Sequence, residues 1–194
     1  MTWSWGAVCR AKQNQLVSGD IYVVQEHGEG LVLAAIVDGL GGGEEAARAA
    51  RAAVQVINEH TDWPLQDLMH RSHAALHSTR GAVIGLLRLD QQSHKASYVG
   101  VGNIGMQVYS RQMIKPISKN GILGFRLPTL LELHYVYDPG DIFVLYSDGV
   151  SSRFALDGQI DIRQPPQHIA DQILATYGKY IDDATVVVIK TASV

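Results

Sequence analysis

The stretch LVLAAIVDGLGGGEEAARAARAAVQVI, Leu31 to Ile57, decides the fold. Leu31 to Val37 is a continuous apolar run of strand length and reads as a strand buried on both faces. It delivers a single carboxylate, Asp38, at its end. Gly39, Leu40 and the glycines Gly41 to Gly43 follow, and a helix begins at once. Ala46, Ala50, Ala53, Val54 and Ile57 share one face of that helix, and Glu44 and Glu45 occupy its first turn, where carboxylates favour the dipole. A lone acid at a buried strand end, surrounded by bare backbone, suits a cation or a phosphate better than it suits packing. The alternative is an ordinary solvated aspartate in a tight strand-to-helix turn.

Upstream, residues 3 to 10 form a candidate first strand. Ser18-Gly19-Asp20 leads into the strand pattern Ile21 to Val24, and His27-Gly28-Glu29-Gly30 is a turn. Residues 20 to 37 therefore read as a hairpin ending at Asp38. Downstream, Thr61 or Asp62 caps a second helix with Pro64 in its first turn. His70, His73 and His77 cluster on one side of it, and a solvated face explains them better than a metal site. From Arg80 the texture is that of strands: Gly81 to Leu89, Lys95 to Val101, Ile104 to Tyr109 and Gln112 to Ile117, read as an antiparallel meander. Asn103 lies in a Gly-rich turn expected to need a positive φ. Residues 118 to 129 are a longer surface connection, and 111 to 129 is a candidate contact surface. Leu130 to Tyr137 resumes strand character. Ile142 to Tyr146 is a second fully apolar strand, ending in Ser147-Asp148-Gly149. A final helix spans Pro166 to Tyr177. Asp182-Asp183-Ala184-Thr185 then opens a last buried strand, Val186 to Ile189.

The bulk properties narrow the function. At 194 residues the chain is read as one domain, 1–194, long enough to bury a full core. Sixteen basic and nineteen acidic residues give a net charge of −3 with no basic block, so nucleic acid and membrane surfaces have no electrostatic support as partners. One cysteine, Cys9, excludes an internal disulfide and reads as a small core residue in a reducing compartment. The start of the sequence lacks the apolar core of a signal peptide, and no run approaches a membrane span. The expected location is the cytoplasm.

Three apolar strands with aspartates at their ends, and no cysteine cluster, describe an all-oxygen site. Hard cations such as Mg²⁺ or Mn²⁺ take that ligand set. A carboxylate that bridges two ions holds them ~3.5–4 Å apart with a hydroxide between them. Such a pair acidifies water and neutralises phosphoryl oxygens during in-line attack. Glycine after Asp38 leaves room for a backbone carbonyl or a water to approach.

The ordered set V-D-G-x-G-G-G, G-V-G-N, P-G-D-x-F-V-L-Y-S-D-G and D-D-A-T-V-V-V resembles the metal-dependent serine/threonine phosphatases of the PPM family, protein phosphatase 2C type. The short length points to the SpoIIE-like branch and its small stressosome phosphatases. The resemblance implies an α+β fold, a four-layer αββα sandwich with two central antiparallel sheets and the metals at one end. Carried over by motif, Asp38 bridges two Mn²⁺ or Mg²⁺ ions and Gly39 ligates through its carbonyl. Asp148 and Asp182 complete the first ion's shell, with Asp182 preferred to Asp183 as the first residue of its motif. Asp20 holds the second ion. The implied catalytic groups are Asp38 and Asp148, acting through metal-bound water.

Several positions depart from the family. No arginine precedes Ser-Gly-Asp at the expected spacing, so phosphate is expected to be held mainly by the metals. Leu40 stands where relatives carry a histidine proposed as general acid. Asn103 replaces an aspartate linked to a third metal. The connection 118–129 is too short for a flap subdomain, and an open site suits a protein substrate. The expected function is hydrolysis of phosphoserine or phosphothreonine on STAS-domain proteins of a stressosome or sigma-factor partner switch. The competing readings are a catalytically weak or dead binding module of the same fold and a phosphatase of a small phosphoester.

Overall fold

The computed structural model describes residues 3–192, apart from the side chains at 156 and 157. Its strands are β1 (Ser4–Arg10), β2 (Asp20–His27), β3 (Leu31–Gly39), β4 (Ala82–Asp90), β5 (Lys95–Val101), β6 (Gly105–Tyr109), β7 (Glu132–Val136), β8 (Ile142–Tyr146) and β9 (Ala184–Lys190). The helices are α1 (Gly43–Glu59), α2 (Leu65–Ala75), a single turn α3 (Phe154–Asp157) and α4 (Pro166–Tyr177). The strands divide into two antiparallel sheets, ordered β1-β9-β8-β6 and β2-β3-β4-β5-β7.

Three apolar layers hold four structural layers together. Between the sheets, Val32, Ala34 and Ile36 of β3 and Leu87 and Leu89 of β4 meet Phe143 and Leu145 of β8 and Val187 and Ile189 of β9. The alternate residues of β3, Leu33, Ala35 and Val37, face outward, where Ala49, Ala50, Ala53 and Ile57 of α1 and Leu65, Leu68 and Met69 of α2 cover them. On the far side, Ile169, Ala170, Ile173 and Leu174 of α4 cover Val144 of β8 and Val186 and Val188 of β9. A strand buried on both faces cannot alternate apolar with polar, which is why β3, β8 and β9 are unbroken apolar runs. The chain is an α+β sandwich of the αββα kind. No helix among the described residues is long and apolar enough to cross a membrane.

The expected elements recur with four corrections. The meander is broken, because β4 and β5 pair with each other while β6 crosses to the other sheet beside β8. Residues 112 to 117 are not a strand; they lie outside both sheets and turn locally, Ile114 N–H donating to Gln112 O at 3.1 Å. Pro64 precedes α2 instead of occupying its first turn, with an extended backbone (φ −51°, ψ 142°) that starts the helix at Leu65. The Gly-rich turn has the expected positive φ, at Gly102 (+94°). Cys9 lies on edge strand β1 and is exposed, its Sγ donating to Ser18 Oγ at 3.3 Å. The histidines also have a structural use: Gly124 N–H donates to His73 Nδ1 at 2.9 Å, and His77 Nδ1 lies 3.2 Å from Gly124 O.

Gly39 has a sharper reason than room for ligands. A Cβ there would collide with the Ala46 carbonyl of α1, so glycine is what lets the helix lie against the end of β3. Replacing Gly39 with alanine should cost about 1–3 kcal/mol by overpacking. Urea unfolding of the variant checks this; an unchanged midpoint would show that α1 has slack there.

Candidate active site: a carboxylate cleft at one end of the sandwich

Sheet register creates the site. Asp20 and Asp38 are paired residues across β2 and β3, so their side chains project from the same face. That face looks toward the other sheet, where β8 ends at Tyr146 and β9 begins at Ala184, adjacent and antiparallel. The turns just beyond those two ends carry Asp148 and Asp182. Gly149 keeps the turns in contact: a Cβ there would strike the Asp183 carbonyl. Asp38, Asp148 and Asp182 thus line one cleft of about 550 Å³, together with Leu40, Asn103 and Ile122. A larger hollow of about 880 Å³ lies at the opposite ends of β6 and β8, lined by Tyr109, Arg111 and Asp138, and contains none of the predicted site residues.

The two neighbouring acids of the last turn do different work. Asp182 is half-buried on the cleft. Asp183 is 4% exposed and accepts the backbone N–H groups of Lys12 and Gly19, both at 2.9 Å, so it ties the chain before β2 to β9. Asp20 sits behind the cleft at 2% exposure. Ser147 donates to its Oδ2 at 2.6 Å while Oδ1 has no partner. Ser147 is itself oriented by accepting the Thr185 N–H at 2.9 Å. Gly39 is buried and does not line the cleft; its carbonyl faces Gly19, next to Asp20.

Crowding of like charge raises the acids. Burial, and then the charges of Asp20, Asp148, Asp182 and Asp183, push Asp38 up to about 8 from 3.8. Burial also raises Asp20, to about 6, against the hydrogen bond from Ser147. Asp148 is raised by burial and by Asp182, and is opposed by Lys179 and by the Asn103 hydrogen bond. Among the described residues, no three carboxylate or imidazole groups form a ready-made metal cage. The donor set is instead spread around a cleft, which suits hard ions that keep several waters. An orphaned, buried carboxylate oxygen on Asp20 fits the same chemistry, because it needs a proton or a cation.

Residue-by-residue reading missed three supports. Asn103 Nδ2 donates to Asp148 Oδ2, so the asparagine holds a cleft acid in place. Lys179 clamps the same turn twice, through Nζ to Asp148 O at 2.6 Å and through its N–H to Gly149 O at 2.7 Å. Ser147 is the third. Its only sequence signal is its place before Asp148. Leu40 is half-buried and packs against the inter-sheet core, which gives the cleft an apolar wall at that position.

Residues 28–192 match the family described as Stage II sporulation protein E (SpoIIE). The chain belongs to the SpoIIE family. Among curated proteins, the phosphoserine phosphatase RsbX of Bacillus subtilis (strain 168) is 23% identical over 143 residues, 72% of this chain and 71% of RsbX. A chain solved in work on the bacterial stressosome, a modular system adapted to control secondary messenger signaling, superposes with a TM-score of 0.88 at 31% identity. That match covers 97% of this chain and 100% of the other. RsbX in complex with magnesium gives 0.85 at 18% identity over 98% and 96% of the two chains. The PstP catalytic domain with two manganese ions gives 0.75 at 17% over 98% and 99%. By this membership the chain is a phosphatase of the PP2C type, and the expected fold and enzyme class stand.

The raised acids set a pH dependence with a definite sign. In metal-free protein, folded Asp38 and Asp20 keep protons that the unfolded chain releases near pH 4, so stability falls as pH rises toward 8. Thermal unfolding in chelator should therefore show a melting temperature that drops between pH 5 and pH 8. Asp38→Asn should flatten most of that drop, and a flat wild-type profile would refute the crowding.

Proposed function

We propose that the chain is a divalent-metal-dependent protein phosphatase that removes phosphate from phosphoserine or phosphothreonine on cytoplasmic regulatory proteins, with STAS-domain proteins of a stressosome as the target class. The observation that carries it is the convergence of Asp38, Asp148 and Asp182 on one cleft with Asp20 buried behind them. A scaffold gains nothing from carboxylates that repel one another, whereas a site for cations requires them.

Two Mn²⁺ or Mg²⁺ ions are the proposed cofactors. Asp38, Asp148 and Asp182 on the cleft, with Asp20 buried behind them, would hold the ions, Asp38 being the shared candidate because it pairs with Asp20 in the sheet and lines the cleft with Asp148 and Asp182. Gly39 would add its carbonyl, which faces Gly19 next to Asp20. When bound, such ions neutralise phosphoryl charge and supply an acidified water at neutral pH.

The remaining tasks belong to the chain. Asn103 and Lys179 fix the Asp148 turn, and Ser147 orients Asp20. The Lys12 ammonium packs against Gly42, and Arg80 lies beside Gly41 while pairing with Glu45. With Arg80 neutralised by Glu45, Lys12 is the cation that gives the rim by the glycine turn a positive charge favouring a phosphoester. The magnesium and stressosome contexts of the relatives support the metal and the target class.

Phosphate release from a phosphoserine-bearing STAS-domain protein should appear on adding Mn²⁺ after chelation and fall to background in Asp38→Ala. Asn103→Ala, which removes a partner of a proposed ligand, should weaken Mn²⁺ binding by about 10–100-fold in calorimetry. Unchanged phosphate release in Asp38→Ala would end this reading.

A further inference from the structure

We infer that exposed apolar side chains on loops bordering the cleft, Leu16 and Ile181 on two loops tied to each other and Phe125 on a third, form a docking surface for a folded phosphoprotein and set substrate specificity. The inference rests on the phosphatase reading above and goes beyond it by locating the contacts that distinguish a protein substrate from a small phosphoester.

Single exposed apolar residues are ordinary on protein surfaces. These stand on segments that carry site residues or are tied to them. Ile181, 85% exposed, directly precedes the cleft acid Asp182. Leu16, fully exposed, belongs to the segment before β2. That segment is pinned to the Ile181 turn: Gln13 N–H donates to Tyr180 O at 2.8 Å, Lys12 N–H donates to Asp183, and the Arg10 guanidinium lies 4.4 Å from the centre of the Tyr180 ring. On the third loop, Phe125, 83% exposed, sits at the tip of a turn whose base residue Ile122 lines the cleft. Paired backbone bonds between Ile122 and Arg126, at 3.0 and 2.8 Å, close that turn, and His73 and His77 hold the Gly124 peptide inside it.

Backbone held in place beneath freely exposed apolar side chains is the arrangement that lowers the ordering cost of association. Aromatic and aliphatic anchors around a charged centre match the composition of interface hot spots. The occupant follows from size and charge. Side chains outside the cleft are beyond the reach of a small phosphoester bound within it. A second copy of this chain docked by two-fold symmetry would bring the same carboxylate cleft against itself. A folded domain presenting one phosphorylated side chain between apolar contacts meets both requirements.

The test compares three substrates under Mn²⁺: a phosphoserine-bearing STAS-domain protein, the phosphopeptide of the same local sequence, and p-nitrophenyl phosphate. Wild type should show a kcat/KM for the folded protein well above that for the peptide. In L16S/I181S and in F125S that advantage should fall about tenfold, through KM, while p-nitrophenyl phosphate turnover stays within about twofold. These positions are exposed, and unchanged thermal melting verifies folding. Equal wild-type rates on protein and peptide, or variants that keep the full advantage, overturn the docking surface. A dimer that dissociates in L16S/I181S overturns it in favour of self-association. Loss of activity on all three substrates in wild type would instead sink the phosphatase reading, and the docking surface with it.

Discussion

Repulsion among four carboxylates gathered at one end of the sandwich is the constraint on which the rest depends. Asp20 and Asp38 face each other across a strand pair, where like charges destabilise a sheet. Asp148 and Asp182 then approach from the opposite sheet. Nothing at the site relieves this in full; Ser147 satisfies one oxygen of Asp20 and Asn103 one of Asp148. The arrangement persists because three apolar layers, two between helix and sheet and one between sheets, are closed elsewhere in the molecule. The cleft is thus a place where folding energy maintains a charge arrangement that only cations or protons can settle.

Asp183 shows how the fold separates support from chemistry within two residues. Its carboxylate accepts two backbone N–H groups from the segment before β2, which fixes where Asp20 enters the sheet. Asp182, one position earlier, keeps its carboxylate on the cleft. A strand alternates its side chains, but these residues stand in the turn before β9, where one change of backbone direction sends two acids to different neighbours. Gly149 and Gly39 act similarly. Each removes a side chain where a second backbone must pass, one beneath the Asp183 carbonyl and the other beneath α1.

Much of this was legible in the sequence, and for a physical reason. Strands buried on both faces must be unbroken apolar runs, so β3, β8 and β9 could be found, and an acid at the end of each stands out against that background. The helical stripe of α1 and the bounds of α4 were equally plain. What could not be read was partnership across the sandwich. Nothing local in Ile104 to Tyr109 says that β6 leaves the sheet of β5, because a strand's pattern does not name the sheet it joins. Lys179 and Ser147 escaped for the same reason, as did the hold of Asn103 on Asp148, their meaning lying in contacts 31, 127 and 45 residues away. Cys9 and residues 112 to 117 escaped because edge strands and partly apolar loops share the composition of buried strands.

The cleft's own makeup bears on how it would choose a substrate. Leu40 presents an apolar wall that belongs to the inter-sheet core, so it cannot be exchanged for a polar group without disturbing packing. Lys12 has its backbone committed to Asp183 and its ammonium beside Gly42, and Arg80 is paired with Glu45. Lys12 favours a phosphoester by charge, which falls off gradually and distinguishes poorly between phosphoesters. A site that attracts phosphate by field, with no bidentate clamp on the cleft among the described residues, must obtain discrimination from outside itself. Anchored loops bordering the cleft, with their large apolar side chains in water, are where this molecule has that capacity.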